Sequence, residues 1–164
     1  MYKRLVPVLQ IDGNRTVKTI NFKDGRYLGN PLNIVRILNA KEVDEIAILD
    51  ISATKKQVGP NFELIKSIAN ECSIPCAYGG GIQSIDDASR IFSYGFDKII
   101  IQNSFFQDQK FISKVSDLRG AQAVSLSLDV IRDKLGSFRL FNYLNGEIRD
   151  NDLETVIKFM MQML

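Results

Sequence analysis

The residues of this chain that could do chemistry fall at the ends of apolar runs. Tyr78-Gly79-Gly80-Gly81-Ile82 closes the run Ile74-Pro75-Cys76-Ala77 and precedes a helix-like segment. Three successive glycines remove every Cβ, so a turn there can take positive φ and bring its N–H groups close to an anion at a helix start. A phosphate would fit, and so would a tight turn whose only task is close helix–strand packing. Asp50 ends the run Ile46-Ala47-Ile48-Leu49, Asp129 ends the run from Ala123 to Leu128, Gln10 stands near the end of the first run, and Gln102-Asn103 follow Lys98-Ile99-Ile100-Ile101. Carboxylates at such ends can exchange protons, and amides can orient a polar ligand. The chain has no histidine, which leaves acid–base work to carboxylate, Lys, Tyr or Cys side chains. Cys72 and Cys76, without a histidine to join them, read as small buried thiols; no metal and no other cofactor is expected.

The elements that must position these residues alternate along the chain. Arg4 to Ile11 is a nearly continuous apolar run bounded by Asp12-Gly13-Asn14, as for a strand buried on both faces. Arg15 to Asn30 is polar, longer than a usual βα connection, and reads as a functional loop carrying Lys18 and Phe22. A helix follows from Pro31 to near Ala40, then a strand from Asp44 to Ile51, a basic loop through Gly59, and a helix from Pro60-Asn61-Phe62 into the glycine-turn strand. Ser84-Ile85-Asp86-Asp87 has a capping-box pattern opening a helix to Tyr94-Gly95. Strands at 98–102 and 123–129 flank a helix from about Gln107 to Leu118. Ser137 to Tyr143 alternates as an antiparallel ribbon, and Asn151-Asp152 caps a last helix from Leu153 to Leu164. Five apolar strands alternating with five helices predict parallel βα units, whose strand carboxyl ends are where ligands bind. Asp44 to Asp50 is echoed weakly by Phe96 to Gln102, as in a repeated (βα)₂ unit.

Composition narrows the function classes. A chain of 164 residues with 45% hydrophobic content can bury one core, so a single domain over 1–164 is expected. A net charge of +2, from 21 basic and 19 acidic residues, is too small and scattered for a nucleic-acid footprint or an anionic membrane surface. No apolar run approaches the ~20 residues of a membrane span. A soluble, cytoplasmic protein is expected.

Lys3-Arg4-Leu5-Val6-Pro7-Val8-Leu9, Val17-Lys18-Thr19, Asn21-Phe22, Val43-Asp44-Glu45, Leu49-Asp50-Ile51, Tyr78-Gly79-Gly80-Gly81-Ile82 and Ala123-Val124 with Leu128-Asp129 together resemble the HisF family, the cyclase subunit of imidazole glycerol phosphate synthase in histidine biosynthesis. The resemblance runs from residue 3 to the end. Pro7-Val8-Leu9, Leu28-Gly29-Asn30-Pro31 and Pro60 to Ile65 look closer to paralogues associated with glycosyl amidation in surface-sugar biosynthesis. The family implies a (βα)₈ barrel that uses ammonia from a glutaminase subunit on a phosphorylated small-molecule substrate. By that resemblance Asp129 is one catalytic carboxylate and Gln10 replaces the other, although Gln exchanges no proton near neutral pH; Asp12 is the nearest carboxylate to it in sequence. Lys18 matches the family's loop lysine, a phosphate or substrate contact or else a solvated lysine. Gly79, Gly80 and Gly81 with Gln102 and Asn103 match a phosphate site, Asp50 is a substrate-side residue, and Arg4, Glu45 and Lys98 match the ring at the ammonia entrance.

A full barrel needs about 250 residues, and five units are read here. The expected fold is therefore an α/β truncated TIM-type barrel with a small ribbon after strand five, either a natural short relative or a piece of a longer chain. Three readings stay open: a synthase or cyclase-type subunit of a glutamine amidotransferase, weak or inactive alone; a subunit for glycosyl amidation; and a non-catalytic, self-associating scaffold. Unpaired edges at strands one and five favour a homo-oligomer, with a flattened sheet covered on both faces as the competing solution.

Overall fold

β-branched runs pair side by side because Ile and Val suit a pleated surface buried on both faces. The computed structural model describes residues 3–20, 23–149 and 152–163. β1 (Val8–Asp12) turns through Gly13 into β2 (Arg15–Ile20) and β3 (Lys23–Gly29), and α1 (Pro31–Ala40) follows. β4 (Ile46–Asp50), α2 (Phe62–Glu71), β5 (Cys76–Gly79), α3 (Ile85–Ser93) and β6 (Lys98–Ile101) continue the alternation. After α4 (Asn103–Gln107) and α5 (Lys110–Arg119), β7 (Val124–Leu126) is the last strand of a sheet ordered β3-β2-β1-β4-β5-β6-β7. β8 (Val130–Arg132), β9 (Phe138–Asn142) and β10 (Glu147–Ile148) form a separate antiparallel sheet before α6 (Leu153–Met163). The pairs β1–β4, β4–β5, β5–β6 and β6–β7 are all parallel, so the carboxyl ends of five strands lie together. This is an α/β fold with a parallel sheet and helices, consistent with the TIM-type barrel family.

Register decides which residues face the helices. Gln10, Leu49, Gly79, Ile100 and Ser125 occupy one row across the five strands. Their neighbours alternate to the other face, where Ile11, Ile48, Tyr78, Ile99, Ile101 and Val124 join Val35, Ile65, Ile68, Ile91, Ile112 and Val115 of the helices in one core. The face away from the helices is more open: Val8 is 55% exposed against 8% for Leu9 beside it.

The helices start where side chains can satisfy their free N–H groups. Asn30 Oδ1 accepts the Leu32 N–H at 2.9 Å with Pro31 opening α1, and Asn61 Oδ1 accepts the Leu64 N–H at 3.1 Å. At α3 the Ser84 hydroxyl accepts from the Asp87 N–H while Asp87 accepts from the Ser84 N–H, a reciprocal capping box. The helix read from Gln107 is instead two: α4 already starts at Asn103, the chain breaks at Asp108, and Asp108 Oδ1 accepts the Lys110 N–H at 3.0 Å to start α5. The strand read over 123–129 keeps ladder pairing only over Val124–Leu126. Phe22 and the cap residue Asn151 lie outside the described residues.

The segment Arg15–Asn30, expected as a loop, is largely a hairpin. Gly13, at φ +62, makes the tight reversal, and β2 runs antiparallel to β1 with Gln10 opposite Val17, Ile11 opposite Thr16 and Asp12 opposite Arg15. Thr16 and Val17 are both buried, which is why no clean alternation marks the strand. The expected bare edge of strand one is therefore covered along residues 10–12. Among the described residues β3 and β7 are the outer strands of the sheet. No helix among them is long and apolar enough to cross a membrane.

Two outcomes test this packing. Ile99→Ala removes a side chain with no exposure from the middle of the core and should cost about 2–5 kcal/mol, read as a lower urea midpoint at unchanged slope. A hydrogen bond from Cys76 holds the half-buried Cys72 thiol down to about 7, while the same contact and burial push Cys76 up. Iodoacetamide at pH 8 should label Cys72 in the folded protein and Cys76 only after unfolding, as peptide masses will report.

Candidate active site

The glycine turn is wedged between three pieces of backbone. A Cβ on Gly79 would lie 2.8 Å from the Ile100 carbonyl oxygen of β6, one on Gly80 would run into the Asp50 carbonyl, and one on Gly81 would lie 2.8 Å from the Val58 carbonyl oxygen. Gly80 and Gly81 also sit at φ +123 and +70, where side-chain-bearing residues are strained. Packing alone thus requires glycine at these positions. The helix start expected at the turn comes later: α3 opens at Ile85, and Asp87 Oδ2 already accepts from the N–H groups of Gln83 (3.1 Å) and Ser84 (3.0 Å). An anion at the turn would meet glycine N–H groups, since the helix end is filled by its own carboxylate.

Asp50 shapes the opposite wall. It is 8% exposed, and its Oδ1 accepts from Ser52 N–H, Ser52 Oγ and Ala53 N–H at 2.9, 2.9 and 3.0 Å, which bends the chain into the 52–59 loop. Gln10 is held likewise, its Oε1 accepting from the Thr19 backbone N–H at 3.1 Å and the Thr19 hydroxyl at 3.0 Å. Its carbonyl therefore ties β1 to the hairpin. Gln102 Nε2 donates to Asp129 Oδ2 at 2.8 Å. Burial raises the Asp129 carboxyl above its ordinary value, offset in part by the Gln102 hydrogen bond and the Arg149 charge. Asn103 Nδ2 points to the Tyr143 hydroxyl at 3.5 Å, and Ser104 Oγ donates to the Ile82 carbonyl, fastening the end of β6 to the glycine turn.

These groups line one cavity of ≈ 150 Å³ at the carboxyl ends of the parallel strands. Its wall brings together Gln10, Asp50, Gly79, Gly80, Gly81, Gln102, Asn103 and Asp129, all singled out from the sequence, and adds Thr19, Lys55, Ser104, Ser127 and Tyr143. Lys18 is not among them. It lies exposed on β2 opposite Arg26, and its neighbour Thr19 takes the inward position because successive strand residues face opposite ways. Asp12 is engaged elsewhere: its carboxylate meets Lys56 Nζ at 3.0 Å, which holds it below the usual range. Lys55 and Tyr143 come from segments far apart in sequence, yet the ammonium lies 5.5 Å from the ring centroid across the cavity. Alternation from Ser137 to Tyr143 marks the ribbon, but nothing local says that it folds back over the strand ends.

At the other end of the strands, Glu45 is 6% exposed and takes Lys98 Nζ at 3.0 and 2.8 Å and Arg4 Nη2 at 2.8 Å. The structure thus gathers Arg4, Glu45 and Lys98 into one cluster. Five strand rises of about 3.3 Å separate Glu45 from Asp50, so cluster and cavity stand about 17 Å apart along β4.

The sequence pattern described as histidine biosynthesis protein matches residues 4–162. A Leptospira borgpetersenii protein provisionally named imidazole glycerol phosphate synthase subunit HisF is 50% identical over 126 residues, covering 77% of this chain and 50% of the relative. A protein of the same provisional name from Leptospira interrogans is 44% identical over the same shares. The imidazole glycerol phosphate synthase subunit HisF of Helicobacter hepaticus is 37% identical over 144 residues, 88% of this chain and 57% of that one. The chain spans about half the length of the curated relatives it matches.

The Asp129 carboxyl supplies a test with a definite sign. Its folded-state pKa is raised, so ionisation is harder in the fold than in the unfolded chain, where a carboxyl titrates near about 3.9. Asp129→Asn removes that cost. The variant should be more stable than the parent at pH 7, and the difference should close as pH falls through the folded value and vanish below the unfolded one, as melting temperatures across pH 3–8 will show.

Proposed function

The chain belongs to the histidine biosynthesis protein family, among its HisF-type members, and from that premise we propose that its cavity is the ammonia-using site of a glutamine amidotransferase's synthase subunit, acting on a phosphorylated small molecule. The observation that carries this reading is that Asp129, Gln102, Asn103 and the three glycines share one cavity at the strand carboxyl ends. In this reading the glycine N–H groups and the Asn103 amide hold a phosphate. Asp129 is the group that exchanges a proton as ammonia adds to an electrophilic carbon of the substrate, and Gln102 keeps its carboxylate aimed into the cavity. Arg4, Glu45 and Lys98 form the ammonia entrance, on the face where a glutaminase subunit docks. The exposed Val6 and Val8 lie on the open face of the sheet, where a second copy of the chain would bury them.

Gln10 favours a second reading for the chemistry. A ring-closing cyclase of this kind works with two proton-exchanging groups at the ends of strands one and five, and an amide bound to Thr19 cannot be one of them. When ammonia displaces the phosphate or nucleotide of an activated sugar, the C–N bond forms as the C–O bond breaks, the leaving group takes the electron pair, and the one proton released by nitrogen needs only the carboxylate that is present. Amidation of a surface-sugar precursor is therefore the better fit to these side chains.

Ammonium-dependent assays separate the readings. With saturating ammonium salt, imidazole glycerol phosphate formation should fall about 10²–10⁴-fold below that of a relative with two carboxylates, and any nitrogen transfer to a sugar substrate should disappear in Asp129→Asn. Rapid formation of imidazole glycerol phosphate would reject the amidation reading. Millimolar inorganic phosphate should shift the amide resonances of Gly79, Gly80, Gly81 and Asn103. An unperturbed spectrum with no turnover would leave a non-catalytic scaffold, for which sedimentation should show self-association.

A further inference from the structure

One arginine beside the cavity has no role in the chemistry above. Arg149 follows β10, and its backbone N–H donates to the Leu140 carbonyl at 2.8 Å, which fixes it to the ribbon. The guanidinium carbon lies 3.9 Å from the Phe106 ring centroid, stacked on the residue three places beyond Asn103, and Nη2 donates to Asn103 Oδ1 at 3.3 Å. Its Nε is buried and has no hydrogen-bond partner. An orphaned guanidinium donor costs stability with no structural return. Burial lowers the Arg149 pKa, partly countered by the charges of Asp129 and Tyr143.

The amide geometry links this arginine to the cavity. Asn103 has one carbonyl and one NH₂, and either could face the cavity if the side chain turned over. Because Arg149 can only donate, its bond to Oδ1 settles the orientation: Nδ2 must face the Tyr143 hydroxyl on the cavity wall. Hydrogen-bond donors, the kind of group an anion needs, are thereby presented where an acceptor would repel it. The same arginine acts on Asp129, which in turn holds Gln102, so both polar residues at the end of β6 depend on it.

We propose that Arg149 is the positioning residue of the cavity, carried in by the ribbon to orient the Asn103 amide so that its N–H groups serve a phosphate-type dianion, and to set its charge beside Asp129. It acts through these two side chains. The proposal rests on the anion site of the preceding reading for its ligand, while the orientation of Asn103 and the state of Asp129 can be measured without any ligand. Arg149 is the charge that acts on Asp129, and the other titratable or charged groups lining the same cavity are Asp50 and Lys55 from the β4 end and its loop and Tyr143 from the ribbon.

Arg149→Met and Arg149→Lys, compared with the parent chain, provide the test. Arg149→Met keeps the stem that packs on Phe106 and loses the donors; Arg149→Lys restores the charge with a point donor. In free protein, Arg149→Met should shift the Asn103 side-chain NH₂ resonances and raise the Asp129 carboxyl titration seen by ¹³C NMR, and Arg149→Lys should return the Asp129 titration most of the way. In the presence of inorganic phosphate, Arg149→Met should weaken binding about tenfold or more, as loss of a charge-supported hydrogen bond does, with the melting temperature held within a few degrees. If Arg149→Met leaves both the Asn103 resonances and the Asp129 titration unchanged, Arg149 is a packing residue and the proposal fails. If both move while the parent chain binds no phosphate, the positioning role stands and the anion site of the preceding reading fails. Phosphate binding by the parent that Arg149→Met leaves intact overturns the ligand part of the proposal.

Discussion

The approach of Gly80 to the Asp50 backbone is the contact on which the site depends. No side chain fits between them, so β5 can deliver its loop onto the end of β4 only as bare backbone. Asp50 itself is spent on the 52–53 turn through three hydrogen bonds to Oδ1, and that turn starts the loop that brings Lys55 to the cavity and the Val58 carbonyl against Gly81. One crowded junction thus fixes the glycine turn, the floor of the cavity and the path of its covering loop. The three glycines are thus required by packing whether or not an anion binds at the turn.

Charge is divided between the two ends of the sheet. At the amino ends, the nearly buried Glu45 is neutralised by Lys98 and by the more exposed Arg4, an arrangement in which desolvation and attraction oppose each other and removing one member exposes the others. At the carboxyl ends the polar residues are mostly amides and hydroxyls, with the buried Asp50, the partly buried Asp129 and Arg149 and the exposed Lys55 as the charges beside them. Amides serve two purposes there. Gln102 donates to Asp129 and Asn103 accepts from Arg149, whereas Gln10, bound twice by Thr19, is part of the framework that seats the hairpin.

The strand ends were readable because a parallel strand buried on both faces announces itself as an unbroken apolar run, and the polar residue that stops it is the one left at the cavity side. Asp50, Asp129, Gln102 and the glycines were placed in this way, and Ser84 and Asp87 were legible as a cap from their spacing alone. The hairpin was not, because Thr16 and Val17 are both buried and two register irregularities interrupt its ladder with β3. A one-residue difference in facing then decided between Lys18 and Thr19, and only the ladder could settle it. Tyr143 and Arg149 were beyond reach for another reason: they arrive from a ribbon whose contact with α4 and the cavity is set by tertiary packing, and no local pattern encodes that docking.

The hairpin also bears on the order in which the chain can fold. Gln10 meets Val17 across a two-residue turn but reaches Leu49 only after β2, β3 and α1 have intervened. Closing the short connection costs far less entropy, and hairpins form within about 1–10 μs, while parallel pairing must wait for a distant segment. By that arithmetic β1 gains its antiparallel neighbour first, and the parallel strands add on its other side. During synthesis β1 itself is thereby paired along residues 10–12 before β4 has left the ribosome, and the outer edge on that side passes to β3, so the hairpin guards the first strand of the parallel sheet as well as walling the cavity.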